Sequence, residues 1–368
     1  MNIVKNVAIA SSLFLFFACS KSDEKNTNVC GSDDLLEQIE SRNFKMGFTS
    51  WNYGPNISDI DDTYQFIAEN ADIYTEHLDF KIPWKAWINE TELPEEFTNI
   101  IQNKLSKKIP DHQLLLSVSL LNNNRNDLLE DFDGTIPDYT SLDNQHIEDA
   151  YFDHLEYLIG QFNPDYLVMV IEANELLLHS TEKWEQYKLL MSKIRPRIKA
   201  AYPNLRTSES LTLHNWYQAE PTANISKIGE YAKNMDFVAI SFYPYFKDLH
   251  NKDDFQKAFD FLHAQTDKPI AFVETAHLAE NLQVDGYDIF IESDECQQKE
   301  YLETLLLNAY NQDYEFVIWW AHRDYDKLWE TFPNEVKNLG KLWKDTGLLD
   351  ENGKERPALE TWKSIFNK

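Results

Sequence analysis

The chain has 368 residues, of which 43 % are hydrophobic and 14 % aromatic, enough apolar surface for one large core. Its formal net charge of −28 repels phosphate backbones, which argues against nucleic-acid partners and strongly acidic polymers and leaves neutral or cationic ligands.

Residues 1–18 read as an address rather than as part of a fold. Lys5 supplies a basic start, 7–18 is an apolar run too short to span a bilayer, and Ala18 precedes Cys19. The pattern resembles a bacterial lipoprotein signal, which implies that Cys19 carries lipid after cleavage. The next residues, Ser20-Lys-Ser-Asp-Glu24, resemble the lysine-plus-acidic tag that sends lipoproteins to the surface of some Gram-negative bacteria. The expectation is therefore an outer membrane lipoprotein, exposed at the cell surface and touching the membrane only through Cys19. Residues 19–43 are polar enough to form a flexible tether, and 44–368 form one folded domain, expected to be a monomer. Cys30 falls in the tether and Cys296 in a late loop or helix start, so both are expected as free thiols, although an exported compartment permits a bridge. Zinc-type Cys/His spacing and the Asp-x-Asp-x-Asp-Gly calcium loop are both missing from the sequence, and no cofactor or metal is expected.

From Phe44 onward apolar runs alternate with amphipathic segments. Strands are predicted at 45–51, 71–77, 114–121, 166–172, 205–211, 237–243, 270–274 and 316–320. Helical periodicity covers 59–70, 148–161, 181–201, 253–265 and 297–311, and a closing helix is expected after Pro357. Alternation of this kind implies parallel strands with right-handed crossovers, and eight units imply a closed (β/α)8 TIM barrel of the α/β class in a single domain.

Two glutamates end such runs. Glu175 closes Leu167-Val-Met-Val-Ile-Glu-Ala-Asn-Glu175, and Glu274 closes Ile270-Ala-Phe-Val-Glu274. Both runs are too continuous for a solvated strand face, so each carboxyl is expected where a buried strand opens into a loop, the rim on which barrels carry catalytic groups. Two carboxyls held roughly 5–5.5 Å apart cleave a glycosidic bond with retention, one as acid/base and the other as nucleophile.

With the strands numbered, Glu175 follows the fourth and Glu274 ends the seventh, and Asn174 directly precedes Glu175. This arrangement resembles the clan A glycoside hydrolases. The resemblance implies that Asn174 bonds the sugar 2-hydroxyl and that Tyr243, in Ser241-Phe-Tyr-Pro, donates its hydroxyl to the nucleophile. It also implies that one residue of Trp319-Trp320 forms a platform under the sugar. Alternation favours Trp320, with Trp319 in the core. Tyr245 is expected to line the cleft or pack its rim, and His214 and Tyr245 are taken with Asn174, Tyr243 and Trp320 as substrate-binding residues. Together with Val273-Glu-Thr-Ala276, the sixth-strand motif is most similar to the arabinogalactan endo-β-1,4-galactanase family. The early strands depart from it: the second ends Thr75-Glu-His-Leu-Asp79 where that family carries arginine, and Arg125, in Asn122-Asn-Asn-Arg125, reads as a solvated loop residue or as a substitute for that arginine.

His77 and Trp216 lie on the same rim, where a histidine is as often structural as functional. Trp51, Trp84 and Trp87 read as packing or as outer sugar platforms, and His277 and Glu280 receive no role. The expected function is a retaining glycoside hydrolase acting on a neutral poly- or oligosaccharide by double displacement. The alternative is a non-catalytic glycan-binding surface lipoprotein on the same barrel. An ester or amide hydrolase is disfavoured, since no Gly-x-Ser-x-Gly elbow occurs.

Overall fold

A computed structural model describes residues 30–31, 34–284 and 287–368, so the signal and Cys19 lie outside the described residues. The chain opens with β1 (Lys45–Thr49), α1 (Ile57–Asn70), β2 (Ile73–Leu78), α2 (Trp84–Ile88), α3 (Glu95–Leu105) and β3 (Gln113–Val118). It continues through α4 (Gln145–Phe162), β4 (Tyr166–Val168), α5 (Glu175–His179), α6 (Thr181–Ala201), β5 (Arg206–Ser208) and β6 (Ser210–Thr212). Then come α7 (Leu213–Trp216), α8 (Ala223–Ala232), β7 (Val238–Phe242), α9 (Lys252–Gln265), β8 (Ile270–Thr275), β9 (Leu282–Val284) and β10 (Ile289–Ile291). The last elements are α10 (Glu295–Asn311), β11 (Phe316–Trp319), α11 (Asp326–Trp329), α12 (Asn334–Gly340) and α13 (Pro357–Phe366). Among the described residues, no helix is long and apolar enough to cross a membrane.

Nine strands form one sheet in the order β5-β4-β3-β2-β1-β11-β8-β7-β6. Its two end strands are consecutive in the chain, separated by Glu209 alone. β5 pairs with β4 and β6 pairs with β7, all in parallel, so the two are halves of a single barrel strand and the sheet closes on itself as a (β/α)8 barrel. Strands covered on both faces need apolar residues throughout, and every residue of Ile-Ala-Phe-Val-Glu-Thr in β8 is buried. Ile73, Leu115, Val168, Phe237, Val273 and Ile318 belong to one apolar cluster made of strand residues and strand-flanking positions, while the larger cluster packs strands against helices. β1 and β2 approach so closely that a Cβ on Gly47 would lie 2.0 Å from the Ile73 carbonyl oxygen, which requires glycine there.

The sequence reads the fifth strand as unbroken, whereas Glu209 interrupts it. Its carboxylate is fully buried and accepts from Arg195 Nε at 2.7 Å, from the Tyr187 hydroxyl at 2.6 Å and from the Tyr231 hydroxyl. Those partners stand on α6 and α8, so the side chain turns outward to meet them. A buried carboxylate persists only with such partners.

Cys30 and Cys296, expected as free thiols, are joined in a disulfide with Cα atoms 5.2 Å apart. The reason lies in the segment taken for tether: a 3₁₀ turn at Asp34–Gln38 contacts α10, and Leu36 and Ile39 are buried. Two apolar side chains in a polar stretch thus dock the chain where Cys30 meets the first turn of α10. The antiparallel β9–β10 hairpin after β8 and the helices α3 and α8 were not anticipated from periodicity.

Candidate active site

The C-terminal ends of the strands gather the chemistry-bearing side chains. Glu274 is the penultimate residue of β8, Tyr243 follows β7 directly, Trp320 follows β11, and His77 lies near the end of β2. Glu175 is not at a strand end: β4 stops at Val168, and a series of turns brings Glu175 to the first position of α5.

Glu274 is buried. The Tyr243 hydroxyl donates to its Oε1 at 2.5 Å, and His77 Nδ1 stands 3.5 Å from Oε2. Burial, and next the charge of Glu172, push the Glu274 pKa upward, while the Tyr243 hydrogen bond pulls it back. Burial and the Glu274 charge raise the Tyr243 phenol well above its ordinary range, so it serves as a donor. Burial holds the His77 imidazole down at about 4, so it meets Glu274 as a neutral ring near neutral pH.

Glu175 is partly buried and accepts from Asn215 Nδ2 at 2.7 Å and from the Thr212 hydroxyl, both on Oε1. Burial first and the Glu172 charge second push its pKa up to about 7. Asn174 is fully buried: its Nδ2 lies 3.1 Å from both the carbonyl and the hydroxyl of Thr212, and its Oδ1 accepts from the Thr212 amide at 2.7 Å. Its amide is therefore committed to the end of β6.

Arg125 overturns the expectation of a solvated loop arginine. Only 9 % exposed, it donates to Asp79 Oδ1 at 3.1 Å, to Asp79 Oδ2 at 2.7 Å and to Glu172 Oε2 at 3.1 Å. Glu172 also accepts from the Ser241 hydroxyl at 2.8 Å. Burial pushes the Asp79 carboxyl up, but the Arg125 guanidinium overrides it and holds Asp79 below the usual carboxylate range.

Aromatic rings wall the mouth. Trp320 packs on Trp51 with ring centres 5.1 Å apart and meets the His77 ring edge-on at 5.6 Å. Trp319 is fully buried and donates to the Thr346 carbonyl at 2.9 Å. Tyr245 is 2 % exposed and donates to the Leu342 carbonyl at 3.0 Å, so its hydroxyl is spent on the 3₁₀ turn at Lys341–Trp343 that follows α12. Burial lowers the His214 pKa to about 4, and its ring lies against Phe246 at 5.4 Å. Trp343 meets Tyr243 at 6.0 Å. His277 is buried beside the Leu278 carbonyl, and Glu280 accepts from Arg356. Trp84 bonds the Leu129 carbonyl, Trp216 is in the core, and Trp87 packs on α4 through Tyr157, away from the mouth. The carboxylates of Asp324, Asp326 and Asp345 converge in a way a cation tolerates, yet Arg356 and Lys344 already stand among them as ion-pair partners.

Sequence reasoning passed over Glu172, Thr212 and Asn215 and underrated Arg125. Glu172 carried a visible signal, an acid inside the apolar run that leads to Glu175. Thr212 and Asn215 carried none.

The barrel together with this mouth defines a glycoside hydrolase of clan A. Residues 162–362 match Glycosyl hydrolase family 53, and the chain belongs to that family. It is similar in fold to the Ignisphaera aggregans GH53 catalytic domain at 16 % identity, with a TM-score of 0.54 over 90 % of this chain and 92 % of that one. It is likewise similar to xylanase 10B from Thermotoga maritima, at 15 % identity and TM-score 0.59 over 91 % and 97 % of the two chains. A GH5_18 protein from Bifidobacterium longum, solved in complex with Manb1-4GlcNAc, aligns at 14 % identity and TM-score 0.64 over 88 % of this chain and 78 % of that one. No curated protein matches the chain.

Proposed function

We propose that the enzyme hydrolyses a neutral polysaccharide or oligosaccharide with retention, Glu274 acting as nucleophile and Glu175 as general acid and then base. The observation that carries this reading is the unequal dressing of two carboxyls in one mouth. Glu274 receives the Tyr243 hydroxyl on one oxygen and faces His77 with the other, and the Tyr243 bond offsets part of the rise that burial imposes on the carboxyl. On Glu175 both donors fall on Oε1, leaving Oε2 to carry the acid proton, and a pKa near 7 keeps that proton available.

In the first step Glu274 bonds to the anomeric carbon as the glycosidic bond breaks, and the Glu175 proton goes to the departing oxygen. In the second, water attacks the same carbon, Glu175 takes its proton and the Glu274 ester bond breaks. Trp320 supplies a flat apolar face for the sugar ring. A β-1,4-galactan is the first polymer to try, on the resemblance of Ser241-Phe-Tyr-Pro and Val273-Glu-Thr-Ala276 to the galactanases, and product sizing separates endo from exo attack.

Glu274→Ala is expected to keep its circular dichroism spectrum and lose at least about 10⁴-fold in kcat. With an activated aryl glycoside, azide rescues it as a glycosyl azide of inverted configuration, whereas rescue of Glu175→Ala gives the retained one. Wild-type turnover in Glu274→Ala, or an inverted first product by NMR, sinks the assignment.

We propose also that Cys19 is lipidated and that the barrel stands at the outer face of the outer membrane. The Cys30–Cys296 bond supports export, because such bonds persist in oxidising compartments. Protease applied to intact cells then removes the barrel, and Cys19→Ala releases it from the membrane fraction; complete protection from protease makes it periplasmic.

A further inference from the structure

We infer that Glu172, clamped by Arg125, is a positioning residue that sets the pH window in which the Glu175 and Glu274 pair works. The inference rests on the assignment of that pair above.

The geometry is built rather than incidental. Glu172 precedes Glu175 by three residues and takes φ +55°, and Arg125 takes φ +50°. Side chains with a Cβ enter that region at a conformational cost, and the contacts of both residues offset it. Here Arg125 Nε reaches Glu172 Oε2 at 3.1 Å, Ser241 reaches Oε1 at 2.8 Å, and Ser210 Oγ accepts from the Glu172 amide at 2.7 Å. Two other elements thus hold the side chain, the loop after β3 and β7, and β6 holds the backbone of the same residue.

The charges then decide the effect. Arg125 is shared between Asp79 and Glu172, so two carboxylates face one guanidinium and a net negative charge is left beside the pair. The other groups in that field include His77 from β2, Lys104 from α3, Glu175 from α5, His214 from α7, Tyr243 after β7 and Glu274 from β8. After burial, Glu172 is the strongest influence raising both Glu175 and Glu274, and Arg125 pulls both down. The clamp therefore trims a field that otherwise makes the nucleophile hard to ionise, while leaving enough of it to keep the acid protonated.

Opposite displacements test this. The bell-shaped profile of kcat/KM has an acid limb set by ionisation of the nucleophile and an alkaline limb set by loss of the acid proton. With the polysaccharide that the wild type cleaves, Glu172→Gln is expected to move both limbs down by about one pH unit and Arg125→Met to move both up by a similar amount. Asp79→Asn shifts them down, by less. Carboxyl ¹³C titration of the full chain reads the same displacements without turnover, so a poorly active variant still reports. Should Arg125→Met fail to fold, the two downward shifts decide. Loss of kcat with both limbs and both carboxyl titrations unmoved overturns the inference and leaves Glu172 a mere packing element. Activity surviving in Glu274→Ala refutes the pair itself, whereas a dead Glu274→Ala beside an unshifted Glu172→Gln refutes only the role given to Glu172.

Discussion

The chain divides near residue 162. The part beyond it matches its family, and the part before it does not, yet both reach the same mouth. The matched part holds Glu175, Glu274 and the hydrogen-bond donors that touch them, Thr212, Asn215 and Tyr243. The unmatched part contributes His77, Asp79, Arg125 and Trp51, which act by charge or by ring packing. Groups that exchange protons or bonds with the sugar must stand at set positions, whereas a field can be assembled from many directions, as the 1/r fall of Coulomb interaction allows. The hydrogen-bond donors to Glu175 and Glu274 thus come from the second part, whereas the charge field at the mouth draws on both, Asp79 and Arg125 from the first and Glu172 from the second.

The contrast is sharpened most by comparing one residue from each part. Glu175→Ala is expected to cost about 10²–10⁴-fold in kcat on an unactivated glycoside and far less on an aryl glycoside whose leaving group needs no proton. His77→Ala, from the unmatched part, costs less and equally on both substrates; a leaving-group dependence in the His77 variant breaks the division.

Next in size is the seam of the barrel. Glu209→Ala strips Arg195 of its buried partner, and denaturant unfolding is expected to show a loss of about 3–5 kcal/mol. The two parts are also stapled covalently. Cys30→Ser with Cys296→Ser, or a reductant, is expected to lower stability by about 2–4 kcal/mol with the activity of the surviving folded protein unchanged.

The smallest effect is a gain. The Glu175 pKa rises on folding from 4.5 to about 7, so the folded state binds the proton more tightly than the unfolded chain between those values. Its contribution is fully present below about pH 4.5 and is lost as pH climbs to about 7. Glu175→Gln removes that decline and is expected to unfold at higher temperature than wild type at pH 7, by about 1 kcal/mol because the group is partly exposed, with no advantage at pH 4. Equal midpoints at pH 7 contradict the raised pKa.

Much of this architecture is legible in the sequence because burial on both faces forces continuous apolar runs, and β8 shows it plainly in Ile270-Ala-Phe-Val. Helix α6 begins and ends where its periodicity predicts, helped by Ser180, whose hydroxyl accepts from the Lys183 amide. The interruption at Glu209 was hidden because its partners Tyr187, Arg195 and Tyr231 belong to two other elements. Arg125 looked solvated for the same reason: Asp79 and Glu172, which draw it inward, lie 46 and 47 residues away. Periodicity reports a residue's own element, and long-range pairing of charges leaves no periodic trace. The disulfide is hidden in the same way, spanning 266 positions.

That bond also fixes a mechanical path. Cys296 sits in the first turn of α10, the long helix that contacts α13 and the turn at Asp34–Gln38, whereas β1 begins later, at Lys45. A pull arriving through residues before Cys30 therefore enters the barrel at α10 through a covalent link and bypasses β1, whose hydrogen bonds to β2 and β11 stay unloaded. If the chain is anchored at Cys19 as proposed, drag on a bound polymer would load a helix along its side rather than peel a strand from the ring.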